Sequence, residues 1–174
     1  LVELVDVYPT LSELAGIPLP EGENIDGTSI MPILQSPETK ELKGYALSMY
    51  PRCPNTTDPK DFYKSNVCEL VERSKIPYMG YSLRTPEWRY TEWVKWHGAT
   101  LKPLWNEQVG VELYPHEPEG GCDADGQINS CMDGWENLNY AETHPQVVAN
   151  LSKTLHQLFS TRSAGRESAA TVYV

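Results

Sequence analysis

The fold is decided by residues 78–96, which read YMGYSLRTPEWRYTEWVKW. Aromatic and β-branched residues alternate with polar ones on both sides of Pro86 and Glu87, a pattern typical of half-buried strands. The break at Pro86 and Glu87 is short enough for a hairpin. We therefore predict two antiparallel strands, over residues 78–85 and 88–96.

Two further segments have strand character and extend the hairpin into a sheet. One is the run of residues 44–50, GYALSMY, which we expect to end at Pro51. The other covers residues 109–114. Together with the hairpin they predict a small antiparallel sheet of about four strands, which is a common size.

A helix follows near the end of the chain. Residues 143–146 resemble a capping box with Pro145 at the first helical position. An apolar stripe then continues at helical spacing through Val147, Val148, Leu151, Leu155, Leu158 and Phe159. We expect this helix to cover one face of the sheet, which gives an α+β fold.

The first forty residues have a different pattern. Asp6 can cap a short helix that Gly16 ends, and Val7, Leu11, Leu14 and Ala15 would form its buried face. A second short helix is expected after Thr28 and Ser29, ending near Leu34. Residues 35–43 are polar, so we place a boundary there and predict units at 1–43 and 44–160, with a flexible tail at 161–174.

Charge and hydropathy limit the classes of partner. The 24 acidic and 14 basic residues give a net charge of -10, which disfavours binding to nucleic acid or an anionic membrane. No apolar run approaches the roughly 18 residues of a membrane-spanning helix. The chain starts at Leu1 in mid-pattern, without the basic region of a signal peptide, which we interpret as a truncated amino terminus.

The four cysteines favour an oxidising compartment. None lies in a CxxC motif, and we pair nearest neighbours, Cys53 with Cys68 and Cys122 with Cys131. A loop of about 15 residues closed in this way stabilises a fold by about 3 kcal/mol. Free buried thiols in a cytosolic protein are the alternative. Asn55 and Asn150 begin glycosylation sequons, which agree with secretion.

Basic residues gather in and beside the hairpin. Arg84, Arg89, Lys95 and Lys102 fall within twenty residues, whereas residues 103–152 contain no Lys or Arg and should face away from a polyanion. Arg84 and Arg89 are therefore the candidate substrate-binding residues, able to bind sulfate or carboxylate through charge-assisted hydrogen bonds. The alternative is that they pair with Glu87 or Glu92, or bridge to a larger domain.

Other constellations are weaker. Hydrolytic triads, phosphate loops and HExxH motifs are absent from the sequence, so we assign no catalytic residue and no metal ligand. Sugar rings stack on aromatic faces, and Trp88, Trp93, Trp96 and Trp105 offer such faces. Packing in the core is the competing role, and we expect it for at least half of these four tryptophans.

At this point the residues resemble a known family. The unit from Leu4 to Pro18, followed by residues 26–30 and 32–34, resembles the segment that closes the large domain of sulfatases in the alkaline phosphatase-like superfamily. Residues 50–52, 79–85, 89–93 and 111–114 resemble the small carboxy-terminal subdomain of the sulfatases that act on sulfated iduronate. The resemblance extends from residue 1 to about residue 160.

The resemblance implies a function for the parent protein. Sulfatases hydrolyse sulfate esters with a cysteine-derived formylglycine as nucleophile and a Ca²⁺ ion at the sulfate. No Cys-x-Pro-x-Arg occurs in this chain, so the catalytic residues and calcium ligands would lie upstream of Leu1. The implied partners are the protein's own amino-terminal catalytic domain and a sulfated glycosaminoglycan, and the implied location is lysosomal or secreted.

Two other functions stay open. One is a secreted non-catalytic module that binds glycans or a protein through the aromatic hairpin. The other is a phosphatase or phosphodiesterase of the same superfamily, against which the sulfatase-like hairpin argues.

Overall fold

The computed structural model describes residues 1–38, 42–53, 68, 71–116 and 136–170, with backbone only for 161–170. Its elements are helices α1 (Val7–Ala15) and α2 (Met31–Gln35), strands β1 (Ala46–Arg52), β2 (Tyr78–Arg84), β3 (Trp88–His97) and β4 (Lys102–Pro115), and helix α3 (Pro145–Ala170). Short 3-10 turns lie at Leu4–Asp6 and Arg73–Lys75.

The sheet is an antiparallel meander in the order β1-β2-β3-β4. The four strands and the covering helix confirm the α+β prediction. β4 begins at Lys102, earlier than predicted, because the chain turns at Leu101, where φ is 53°. A register irregularity between Trp93 and Lys95 lets the long β4 stay paired with β3.

β1 runs past the residue at which we expected it to end. Pro51 lies within the strand and pairs with Met79 of β2. β1 is an edge strand, so Pro51 is tolerated there although it cannot donate a backbone hydrogen bond. The strand predicted over residues 44–50 therefore ends two residues later than expected, at Arg52.

Helix α3 covers one face of the sheet, as predicted. Leu83, Tyr90, Val94 and Leu113 of the sheet are fully buried beneath it, together with Leu155 of the helix. The predicted apolar stripe of α3 packs against this cluster. The α3 backbone stays helical to Ala170, ten residues past Ser160, because no proline interrupts it and extension costs little once a helix has formed.

Residues 1–38 contain the two short helices α1 and α2. Gly16 ends α1 in the left-handed conformation, with φ 65°, as predicted. The prediction of a buried face was wrong for this chain, because Val7, Leu11 and Leu14 are all exposed. Only Pro9 and Thr10 of α1 are buried.

Asp6 ties this unit to the start of β1. Its carboxylate does not cap α1 but accepts the backbone N–H groups of Glu3 at 2.7 Å and Thr28 at 2.9 Å. Lys43 Nζ lies 2.6 Å from both the Asp6 and the Glu3 carboxylates, and Glu3 also accepts the N–H of Leu47. A buried ionic cluster therefore joins the two parts of the chain.

Within the described ranges, no helix combines the length and the apolar composition needed to cross a bilayer.

Candidate functional site

The face of the sheet opposite α3, which we call the outer face, is polar. Alternation along the strands sends one set of side chains toward α3 and the other to the outer face. The cross-strand pairs place Ser82 opposite Thr91, Thr91 opposite Glu112, Arg84 opposite Arg89, and Arg89 opposite Tyr114. A cleft of about 240 Å³ opens on this face, lined by Ser48, Met49, Tyr50, Gly80, Ser82, Arg89, Thr91, Trp93, Glu112, Tyr114 and Glu136.

Arg89, one of the two predicted site residues, lies at this cleft in an ion pair. Its Nε donates to Oε1 of Glu136, and His116 Nε2 lies 2.6 Å from the same oxygen. The alternative pairing with Glu87 or Glu92 is wrong, since the carboxylate that Arg89 binds belongs to Glu136. The positive charge of Arg89 is thus largely neutralised within the chain.

Arg84, the other predicted site residue, is held differently. It faces Arg89 directly across the β2–β3 pair. Its Nη1 is inaccessible to solvent and has no hydrogen-bond partner among the described residues. Burial lowers the pKa of Arg84, the charge of Arg89 lowers it further, and Glu136 partly opposes the shift.

The floor of the cleft is an aromatic ring. Trp93 packs over Gly80, which is so close that an added Cβ would lie 2.7 Å from the indole ring. The indole Nε1 donates to Glu112 Oε1 at 2.9 Å. The guanidinium of Arg52 lies 5.9 Å from the ring centroid, within cation–π range.

Polar groups line the walls of the cleft. Thr91 Oγ1 donates to Ser82 Oγ at 3.0 Å, and the Tyr114 hydroxyl donates to Glu112 Oε2 at 3.3 Å. Burial raises the pKa of the Tyr114 phenol, and the Glu112 carboxylate raises it further, so this hydroxyl stays protonated at neutral pH. Such a surface offers hydrogen-bond donors and acceptors for the non-covalent binding of hydroxyl groups.

The tryptophans divide between the two faces. Trp88, Trp96 and Trp105 pack against the core beneath α3, whereas Trp93 lies on the outer face. This division confirms that at least half of the four are packing residues. Trp93 remains the one of these four with a face toward the cleft.

Acidic residues of the 103–152 segment lie beside Arg89 on the outer face. Glu112 and Glu136 line the same cleft as Arg89. Pairing of β4 with β3 places Glu112 at the cleft. Glu136 is held there by its ion pair with Arg89. Acidity along the sequence did not translate into a separate surface, because neighbouring strands share one face.

Glu92 is also placed differently from the expectation. It lies beneath α3, only 1% exposed, and accepts hydrogen bonds from Tyr90 and Ser152, each at 3.0 Å. His156 Nε2 lies 3.0 Å from the same Oε2. A buried carboxylate therefore joins the sheet to the helix instead of pairing with an exposed arginine.

The predicted disulfide and glycosylation residues are described in part. Cys53 and Cys68 form a disulfide with their Cα atoms 5.5 Å apart. Asn150 is exposed on α3. Cys122, Cys131 and Asn55 lie outside the described residues.

Metal binding requires a group of ligands that the described ranges do not bring together. Among those residues, no three His, Cys, Asp or Glu side chains are grouped to hold a metal ion. The residues here therefore do not fit the Ca²⁺ site that the resemblance implies.

Sequence reasoning missed Glu112, Tyr114 and Glu136. The alternation of β4 carried a signal for the first two, because Glu112 and Tyr114 share a parity opposite to the buried Leu113. Glu136 gave no such signal, since its position depends on tertiary structure.

Comparison with known proteins identifies the class. No family model matches the chain. Curated relatives are mouse iduronate 2-sulfatase, 32% identical over 133 residues, and human iduronate 2-sulfatase, 34% identical over 133 residues, each match covering 66% of this chain. Human arylsulfatase K is 31% identical over 160 residues, which cover 92% of this chain.

The chain is therefore a homologue of the sulfatases. Within that family, its relatives include iduronate 2-sulfatase and arylsulfatase K. The chain spans about 22% of the length of these curated relatives.

Proposed function

We propose that this chain is the carboxy-terminal part of a sulfatase, a sulfuric ester hydrolase, that resembles iduronate 2-sulfatase. The observation that carries the proposal is the 32% identity to iduronate 2-sulfatase over 133 residues. Within this assignment, residues 1–43 are the edge of the large catalytic domain and residues 44–160 are the small subdomain packed on it, with a tail at 161–174.

The surface of the first forty residues supports this division. Leu4 is 91% exposed and Leu14 is 65% exposed, and Leu11 and Ile17 are exposed beside them. A helix with so many exposed apolar residues is normally buried in a larger protein. The catalytic domain of the same protein is the partner that we propose for this surface.

The chain itself is proposed to be inactive. The nucleophile and the ligands of one Ca²⁺ ion belong, in this assignment, to the part of the protein that precedes Leu1. The small subdomain then forms one wall of the substrate cleft. Arg84 and Arg89 are its candidate contacts to the substrate or to the catalytic domain.

The proposed substrate is a sulfated glycosaminoglycan, and the proposed location is a lysosome or the exterior of the cell. The Cys53–Cys68 disulfide supports an oxidising compartment. The exposed side chain of Asn150 supports N-glycosylation at that position. A second disulfide between Cys122 and Cys131 and a second glycan at Asn55 belong to the same proposal.

A substrate comparison on the full-length protein tests the proposal. Release of sulfate from 2-O-sulfated iduronate disaccharides should greatly exceed release of phosphate from a phosphorylated sugar. Chelation of calcium should abolish the sulfate release. Phosphate release without sulfate release would overturn the assignment in favour of a phosphatase.

A second candidate function rests on Trp93. This ring, the hydroxyl groups around it and Arg52 resemble the surface of a glycan-binding module. A secreted non-catalytic module would retain sulfated oligosaccharide on a column while releasing no sulfate from it. Retention that Trp93→Ala abolishes, in a full-length protein without hydrolytic activity, would favour this alternative.

A further inference from the structure

The guanidinium of Arg84 makes no ion pair with any of the described residues. Its Nη1 is buried without a hydrogen-bond acceptor, and the side chain directly across the strand pair is the guanidinium of Arg89. A buried polar atom is normally hydrogen-bonded, because leaving it desolvated without a partner is costly, whereas the rest of the half-exposed Arg84 side chain can be reached from outside. The arrangement around Arg84 is therefore incomplete.

The carboxylate whose charge acts on Arg84, that of Glu136, is already engaged. Glu136 Oε1 accepts from Arg89 and lies 2.6 Å from His116 Nε2. Glu136 attracts Arg84 only through space, and no hydrogen bond joins the two side chains. The Glu112 carboxylate is occupied by Trp93 and Tyr114.

We propose that Arg84 is an oxyanion-binding residue on the outer face, and that Arg89 is the positioning residue beside it. The ligand is a carboxylate or sulfate group, whose paired oxygens match the fork of the guanidinium. The Glu136–Arg89–His116 contacts hold Arg89 in place and leave Arg84 as the cation that needs an anion. This deepens the proposed function by separating the roles of the two arginines, and it depends on that function only for the choice of sulfate as a probe.

The anion has two possible sources, which one experiment separates. The full-length protein is prepared as wild type, Arg84→Met and Arg84→Lys, with Arg73→Met as the matched control at an exposed arginine. Methionine keeps the apolar stem of the side chain and removes its charge. Thermal unfolding is followed while inorganic sulfate is added.

If the ligand is a free anion, we expect sulfate to raise the melting temperature of the wild type and of Arg73→Met. Arg84→Met should then need at least tenfold more sulfate for the same shift, and Arg84→Lys should fall between them. If the ligand is instead a carboxylate of the same protein, we expect the Arg84→Met substitution to leave the effect of sulfate on the melting temperature unchanged. In that case Arg84→Met should melt several degrees below Arg73→Met, because a filled charge pair has been broken.

The proposal is overturned if Arg84→Met responds to sulfate as the wild type does and melts no lower than Arg73→Met. Removing an unpartnered cation beside Arg89 relieves repulsion, so a melting temperature that is unchanged or raised, together with an unchanged response to sulfate, would mean that no anion binds there. Both readouts are independent of sulfate-ester hydrolysis, so failure of the proposed enzyme activity would not be mistaken for failure of the site.

Discussion

His156 of α3 reaches Glu92 of β3, with Nε2 3.0 Å from Oε2, in the centre of the contact between helix and sheet. The same carboxylate accepts the hydroxyl groups of Tyr90 and Ser152. A single buried acidic side chain thus anchors α3 through two residues one helical turn apart. Its apolar surroundings make each of these hydrogen bonds stronger than it would be in water.

Replacing Glu92 by leucine should destabilise the fold by about 2–4 kcal/mol, because the buried Tyr90 hydroxyl and the half-buried Ser152 and His156 lose their acceptor. Urea denaturation of the variant and the wild type gives the difference. Glu107→Gln is the control, since Glu107 pairs with the exposed Lys95 and its loss should cost less than about 1 kcal/mol. Equal effects for the two variants would show that the Glu92 contacts do not hold α3.

Glycine at position 80 is required by the ring of Trp93. Gly80→Ala would place a Cβ 2.7 Å from the indole, so we expect a loss of about 1–3 kcal/mol and a shift in tryptophan fluorescence. Gly110→Ala is a matched control on the other side of the same ring, where the added Cβ would lie 3.7 Å away. A Gly80→Ala protein as stable as Gly110→Ala would contradict the packing of Trp93 over Gly80.

The cluster of Asp6 and Lys43 should make stability depend on pH in acid. Burial alone would raise the pKa of Asp6, but hydrogen bonds from Lys43, Thr28 and Glu3 outweigh it and hold the pKa below its ordinary 3.8. A depressed folded-state pKa contributes stability above the unfolded value and loses it as the pH falls through the folded value. We expect Asp6→Asn to cost about 1–3 kcal/mol at pH 5–7, a difference that narrows below pH 3.8.

Lys43 sets the upper pH limit of the range in which the cluster contributes stability. Burial lowers the pKa of Lys43, but pairing with Asp6 and Glu3 outweighs burial and raises the pKa above 10.5. The contribution of Lys43 to the stability of the fold is therefore complete below that pH and is lost as the pH rises further. Chemical denaturation of wild type and Asp6→Asn at a series of pH values checks both limits. A difference that stays constant from pH 7 down to pH 2 would contradict the assignment of the cluster.

The Cys53–Cys68 disulfide should contribute about 3 kcal/mol, because it closes a loop with a sequence separation of 15. The Cys53→Ser/Cys68→Ser double variant should lose that amount in urea denaturation under non-reducing conditions. Peptide mapping without reduction should recover the two cysteines as one linked peptide. Linkage of either cysteine to Cys122 or Cys131 would contradict the pairing.

Alternation and helical spacing predicted the hairpin, the four-stranded sheet and the helix that covers it. The same alternation puts Glu92 on the buried side with Tyr90 and Val94, although we had considered it as a partner of the arginines. The three donors that bury Glu92 come partly from α3, sixty residues further along, and no local pattern reveals them. For the same reason the pairing of Arg89 with Glu136 could not be predicted.

The exposed apolar residues of α1 show a different limit. Their spacing correctly indicated one apolar face, but a pattern of this kind does not tell which surface covers it. In our proposal, that surface belongs to the catalytic domain of the same protein, so it is not part of this chain.

The most direct measurement compares this 174-residue chain with the full-length protein in one assay, the release of sulfate from a 2-O-sulfated iduronate disaccharide. We expect the full-length protein to release sulfate in a calcium-dependent manner and the 174-residue chain to release none. Sulfate release by the isolated chain, or its absence from the correctly folded full-length protein, would contradict the assignment of this chain as the supporting part of a sulfatase.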